Sequence, residues 1–144
     1  MTNLKFFPAT AIRFCTVTLV AGLIIYGYAQ GIVYFHEWRA VNNLRKIERA
    51  MQAYKDKHGH YVKLGEIWRT TGDVNNRLNL NIRDDIFNYQ CFGWQGWTPW
   101  RCNAKSPLYD WWLHIHEKVD AHCASTGGHT CPGCLYTHDP NACY

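Results

Sequence analysis

The stretch FCTVTLVAGLIIYGYAQGIVYF (residues 14–35), running without a break into HEWRAVNNLRKIERAMQAYKDKHG (residues 36–59), decides how the rest of the chain is read. From Phe14 to Phe35 there is no Asp, Glu, Lys or Arg. A helix of that length covers roughly 33 Å, about the hydrocarbon thickness of a bilayer, so the segment has the length of a membrane span. It carries Thr16, Thr18 and Gln30, and Gly22, Gly27 and Gly31 recur at steps of four or five residues, which lets a second helix approach closely. Lys5 and Arg13 lie ahead of it, so the positive-inside tendency places residues 1–13 in the cytoplasm and everything after the span outside. The alternative is a signal peptide, with Gly27 and Ala29 arranged as for cleavage after Ala29. The apolar stretch continues past that point through Ile32, Val33, Tyr34 and Phe35, which favours a retained anchor.

Beyond the span the period changes. Val41, Leu44, Ile47, Met51 and Tyr54 recur at three- and four-residue steps on one stripe of a helix, with Arg45, Arg49, Asp56 and Lys57 on the opposite face. No proline or glycine interrupts residues 32–58, so span and amphipathic segment (36–58) form one rod that stops at Gly59. The apolar stripe needs a cover, and residues 59–144 supply it. The expected fold class is therefore α+β: a long N-terminal helix, membrane-spanning in its first half, packed on a small antiparallel β-sheet head with a disulfide-rich C-terminal tail.

With 144 residues, there is room for one small head of about 85 residues beyond the helix. The net charge of +4 does not indicate nucleic-acid binding, because the 13 basic residues after the span face 11 acidic ones. Cys15 lies inside the span, and Cys91, Cys102, Cys123, Cys131, Cys134 and Cys143 all fall in the last third. An even set in a small exported head reads as disulfides, each worth about 2–4 kcal/mol.

Within the head, residues 60–83 show no sustained helical period, and Thr70-Thr71-Gly72-Asp73 and Asn75-Asn76 read as turns or loop. Leu78, Leu80 and Ile82 alternate with polar residues. Residues 86–92, IFNYQCF, alternate in aromatic and β-branched side chains as a half-buried strand does. Gly93 and Gly96 then bound a turn rich in tryptophan (Trp94, Trp97, Trp100) before Arg101-Cys102. A hairpin bonding Cys91 to Cys102 follows from that layout. Residues 108–120 fit two periods: two for Trp111, Leu113 and Ile115, helical for Leu108, Trp112, Ile115 and Val119. The start signal Ser106-Pro107 favours the helix. From Ala121 to Tyr144 the chain is expected to be held by cross-links rather than by secondary structure.

The densest group of reactive residues is His114, His116, His122, Cys123, His129, Cys131, Cys134, His138 and Cys143. Cys131-Pro132-Gly133-Cys134 has the spacing of zinc and redox sites, but a structural zinc takes a second pair or two well-spaced histidines. A redox dithiol needs a helix after its first cysteine within a βαβ unit, and too little chain follows Cys134 to build one. Leu135 stands where haem attachment requires histidine. No catalytic triad or phosphate-cradling loop is present. The expectation is no catalytic residue, no metal and no cofactor.

The helix end Ala50-Met51-Gln52-Ala53-Tyr54 through His58-Gly59-His60-Tyr61, then Leu78-Asn79-Leu80, Phe87-Asn88-Tyr89-Gln90-Cys91 and Arg101-Cys102-Asn103-Ala104, resemble the type IV pilin and pseudopilin family over roughly residues 40–104. The resemblance implies a structural subunit of a type IV pilus or type II secretion pseudopilus, not an enzyme. Its partners would be the inner membrane and copies of itself or other pilin-like subunits, with the head in the periplasm or outside the cell. The family's processing motif, glycine followed by Phe-Thr-Leu-Ile-Glu, is absent: Phe14-Cys15-Thr16-Val17-Thr18-Leu19 has neither the glycine nor the glutamate. A second reading, of another class, is a membrane-anchored binding module using its aromatic surface or the C-terminal His/Cys cluster.

Overall fold

Fifty consecutive residues without a proline form one helix, α1 (Ala9–His58), in the computed structural model, which describes residues 9–83, 86–94, 98–109, 111–117 and 119–125. The helix ends at His58 because Gly59 takes φ +76°, a conformation glycine adopts without a Cβ penalty, and its N–H closes on Lys55 O at 2.7 Å. Lys55, Lys57 and His58 in the last turn complement the negative end of the helix dipole.

The chain divides into two compact units, Met1–Val33 and Tyr34–Tyr144. The described part of the first is the helix alone. In the second, a five-stranded antiparallel sheet runs in sequence order: β1 (Ile67–Trp68), β2 (Asn88–Gly93), β3 (Trp100–Lys105), β4 (Trp111–His116) and β5 (Val119–Ser125). The helix packs on one face of this sheet. Ala40, Val41, Leu44, Ile47 and Met51 are buried, as are Tyr89, Cys91, Trp100, Cys102, Ala104, Trp111, Leu113 and Ile115 from the strands. Asn43 Nδ2 donates to the Tyr89 hydroxyl at 2.9 Å, and Tyr54 meets Trp68 edge-on at 5.5 Å.

The structure corrects the sequence reading at four places. The described residues of 108–120 are not helical: Ser106-Pro107 opens a turn, in which Ser106 Oγ accepts from Leu108 N at 3.2 Å, and β4 follows. Strand pairing wins because β4 fills the gap between β3 and β5, from Lys105↔Trp112 on one side and Leu113↔Cys123 on the other. Residues 121–125, expected to lack secondary structure, belong to β5. Residues 70–79 are not a loop, since Thr71–Leu78 form helix α2. Leu78, Leu80 and Ile82 are not a strand: Leu78 ends α2, and the backbone of Ile82 bonds both ways to the Asn75 side chain, at 2.8 and 2.9 Å, instead of to a strand neighbour.

Helix α2 exists because Thr70 and Asp73 cap it reciprocally. Thr70 Oγ1 accepts from Asp73 N at 3.0 Å, and Asp73 Oδ2 accepts from Thr70 N at 3.1 Å. Asn88 docks the helix start on β2: its Oδ1 accepts from Thr71 N at 3.0 Å, and Thr71 Oγ1 accepts from Tyr89 N at 3.1 Å. Thr70→Ala should cost about 1 kcal/mol of stability in urea unfolding. Hydrogen bonds from Thr70, side chain first and backbone second, hold the Asp73 carboxyl below its ordinary range. A depressed folded-state pKa means this contribution is complete above the ordinary carboxylate range and is lost as pH falls through the lower folded value. Asp73→Asn should therefore flatten the acid limb of the stability profile.

Candidate functional site

Leu23, Ile24, Ile25 and Tyr26 are each more than 60 % exposed, and four consecutive residues at about 100° steps point in every direction around a helix. An amphipathic surface helix is apolar on one stripe only, whereas an all-round apolar helix requires an apolar surrounding. Phe14, Val17, Leu19 and Tyr28 continue that surface. One helix of the described chain is thus long and apolar enough to cross a membrane. Thr18 spends its hydroxyl inside the helix, donating to Phe14 O at 3.0 Å, which suits a medium without water. Nothing stands within 4 Å of the positions where Cβ atoms would lie on Gly22, Gly27 and Gly31, so these sites are open to a neighbour. Cys15 is a free, exposed thiol on this segment.

Of the stripe read from the sequence, Val41, Leu44, Ile47 and Met51 are at most 1 % exposed, while Tyr54 is half-buried between Trp68 and His58, stacking on the latter at 4.3 Å. Where the helix ends, Tyr61 ties it to the β4–β5 turn. Its hydroxyl accepts from Lys55 Nζ at 3.2 Å and reaches Glu117 Oε1 at 2.8 Å and Gln52 Oε1 at 2.9 Å, so its one proton serves either acceptor in turn. Burial first, and the Glu117 hydrogen bond second, push the Tyr61 hydroxyl above its ordinary pKa.

The face of the sheet turned away from α1 carries Phe92, Arg101, Asn103, Trp112, His114 and His116, alternating with the core residues of the same strands. Register places His122 across from His114. Arg101 Nη2 lies 2.8 Å from His114 Nδ1; a guanidinium only donates, so that imidazole nitrogen accepts and holds no proton. The Arg101 guanidinium also stands 5.9 Å over the Trp94 ring, and burial pulls its pKa down. His114 and His116 stack at 5.9 Å. Both are at most 5 % exposed, so they form a covered polar layer and not the partly exposed pair that an alternating sequence suggests. Arg101 Nε, Asn103 Oδ1 and Trp112 Nε1 are buried there with no hydrogen-bond partner among the described residues. The thiols of Cys91, Cys102 and Cys123 on these strands are bonded and offer no nucleophile. No described group of three or more His, Cys, Asp or Glu side chains converges as a metal site needs. The Arg101–His114 pair was not readable from sequence, because it depends on the β3–β4 register.

Cys91 and Cys102 stand directly opposite in the β2–β3 register, fully buried, and are joined by a disulfide. Cys123 is also disulfide-bonded. Cys131, Cys134 and Cys143, with His129 and His138, lie outside the described residues. Replacing Cys91 and Cys102 together by alanine should lower the stability of the head by about 2–3 kcal/mol, the amount expected for opening a loop of this size in the unfolded chain. Urea unfolding checks this against the same protein with a disulfide reductant.

Of the tryptophans in this region, Trp100 and Trp111 are core residues, Trp112 is half-buried, Trp94 is exposed, and Trp97 lies outside the described residues. No protein-family model, curated protein or solved structure matches the chain.

Proposed function

We propose that the chain is a pilin-like structural subunit, without enzymatic activity, anchored by residues 14–35 in the inner membrane with its head on the outer side. The observation that supports this is one uninterrupted helix that is apolar on every side over its first half and buried on a single stripe over its second. Lys5 and Arg13 ahead of the span set the orientation. Its partners are copies of itself or other pilin-like subunits, meeting along the face that carries Gly27 and Gly31, four residues apart, in a filament of the type IV pilus or type II secretion kind. The missing processing glycine implies that the segment before Phe14 stays attached. A binding role for the far sheet face has less support, because His114, His116 and Asn103 are covered.

Cross-linking tests the association. In a chain carrying Cys15→Ser and Gly27→Cys, mild oxidation of membranes should give disulfide-linked dimers. The same treatment should leave a Tyr26→Cys, Cys15→Ser chain largely monomeric. Equal, background-level cross-linking at both positions would overturn the helix–helix reading.

A further inference from the structure

Immediately beyond Phe35, α1 borders a groove of about 500 Å³. One wall is helical, with Trp38, Arg39, Lys46 and Arg49 along it, and the other is Asn81, Ile82 and Arg83, held in place by the two Asn75–Ile82 hydrogen bonds. Arg39, Lys46, Arg49 and Arg83 bring four cations to the lining of this space. Arg39, Asn43 and Arg83 also line a recess of only about 10 Å³ behind it, which admits on the order of one water, so a ligand is held at the mouth and not inserted.

We infer that this groove holds the phosphodiester of an anionic phospholipid headgroup, with Arg39 and Arg83 as its contacts. The inference rests on the membrane-anchor reading above. Three observations choose the ligand. The cations make the groove complementary to an oxyanion, and guanidinium groups match phosphate geometry with paired N–H donors. Its depth fits: Arg39 follows the last residue of the charge-free segment by four positions, about 6 Å along a helix, which is headgroup depth for a span ending at Phe35. Tyr34, Phe35 and Trp38 are each at least half exposed around it, and Arg39 lies 5.8 Å over the Phe35 ring, the aromatic and cationic composition of a membrane interface. Lys46 and Arg49 lie farther out, roughly 17–21 Å along the helix, and add attraction without contact.

The test reconstitutes the full chain in vesicles of phosphatidylcholine, or of an equimolar mixture with phosphatidylglycerol, measures co-flotation, and counts the lipids retained after detergent release by native mass spectrometry. Phosphatidylglycerol should be retained about tenfold or more over phosphatidylcholine, falling about fivefold in Arg83→Gln and to parity in Arg39→Gln/Arg83→Gln, with co-flotation unchanged. Lys57→Gln, on α1 outside the groove, should match the parent. Arg83 is exposed, so the single variant keeps the test valid if the double variant misfolds. Parity in the parent, or enrichment that survives both substitutions, overturns the groove assignment and leaves the anchor standing. Displacement of the lipid by equimolar inorganic phosphate overturns the lipid source. Failure to co-float overturns the anchor reading, and this inference with it.

Discussion

Replacing Gly93 with alanine should destabilise the head by about 3 kcal/mol or more, the upper end of what overpacking costs. Gly93 closes β2, where it pairs with Trp100, forms a parallel bridge with Leu64, and donates its N–H to Glu66 O at 3.1 Å. A Cβ at Gly93 would collide with the carbonyl carbon and oxygen of Lys63 and stand 2.8 Å from Leu64 N. All three are backbone atoms, so no side chain can swing away, and relief requires the 63–66 segment to leave the sheet edge. That segment leads directly into β1, whose Ile67 and Trp68 pair with Phe92 and Cys91. The loss should therefore extend to the Tyr54–Trp68 contact and appear in the near-ultraviolet spectrum. Gly72→Ala is the matched control: the nearest atom is Thr70 Oγ1 at 3.6 Å, and a helical glycine replaced by alanine should gain up to about 1 kcal/mol. Urea unfolding of the full chain in detergent measures both, and equal stability of the two variants would refute the close-approach role.

Leu44→Ala should cost about 3–4 kcal/mol, because a fully buried leucine loses its transfer energy and leaves a cavity that a helix on a sheet cannot collapse to fill. Leu44 sits at the middle of the stripe from Ala40 to Met51. The sheet beneath the helix is itself cross-linked at Cys91–Cys102. Lys57→Ala, on the exposed last turn, should stay within about 0.5 kcal/mol of the parent. A Leu44→Ala chain that melts with the parent would mean that the helix does not cover the sheet.

The helix was the most legible part of the chain, because its two halves write their environments in different periods. Charge is absent for 22 residues, then one apolar stripe runs from Val41 to Tyr54 up to a glycine stop. The Cys91–Cys102 pair was legible for the same reason, since strict alternation from Phe87 to Cys91 fixes which residues share a face. Residues 108–120 mislead because Ser106-Pro107 reads as a helix start and outweighs the period-two set Trp111, Leu113 and Ile115, whereas that dipeptide opens a turn ahead of β4. Helix α2 is hard to read although Thr70-x-x-Asp73 is a capping box, because its eight residues hold only two apolar side chains, Val74 and Leu78, to mark the buried face. Gly93 was read as a turn residue, whereas the structure uses its missing side chain. That distinction depends on where residues 63–64 run, which no local pattern encodes. The basic groove went unread because Arg83 joins Arg39 only after Asn75 has fixed the chain around Ile82.

The central claim is that the apolar segment remains part of the protein and holds it in the membrane. Its most direct test is the intact mass, before and after reduction, of protein recovered from membranes washed with alkaline carbonate. The result expected is a carbonate-resistant species that still contains residues 14–35 and gains mass on reduction as its disulfides open. A carbonate-soluble species beginning at Gln30 would contradict it.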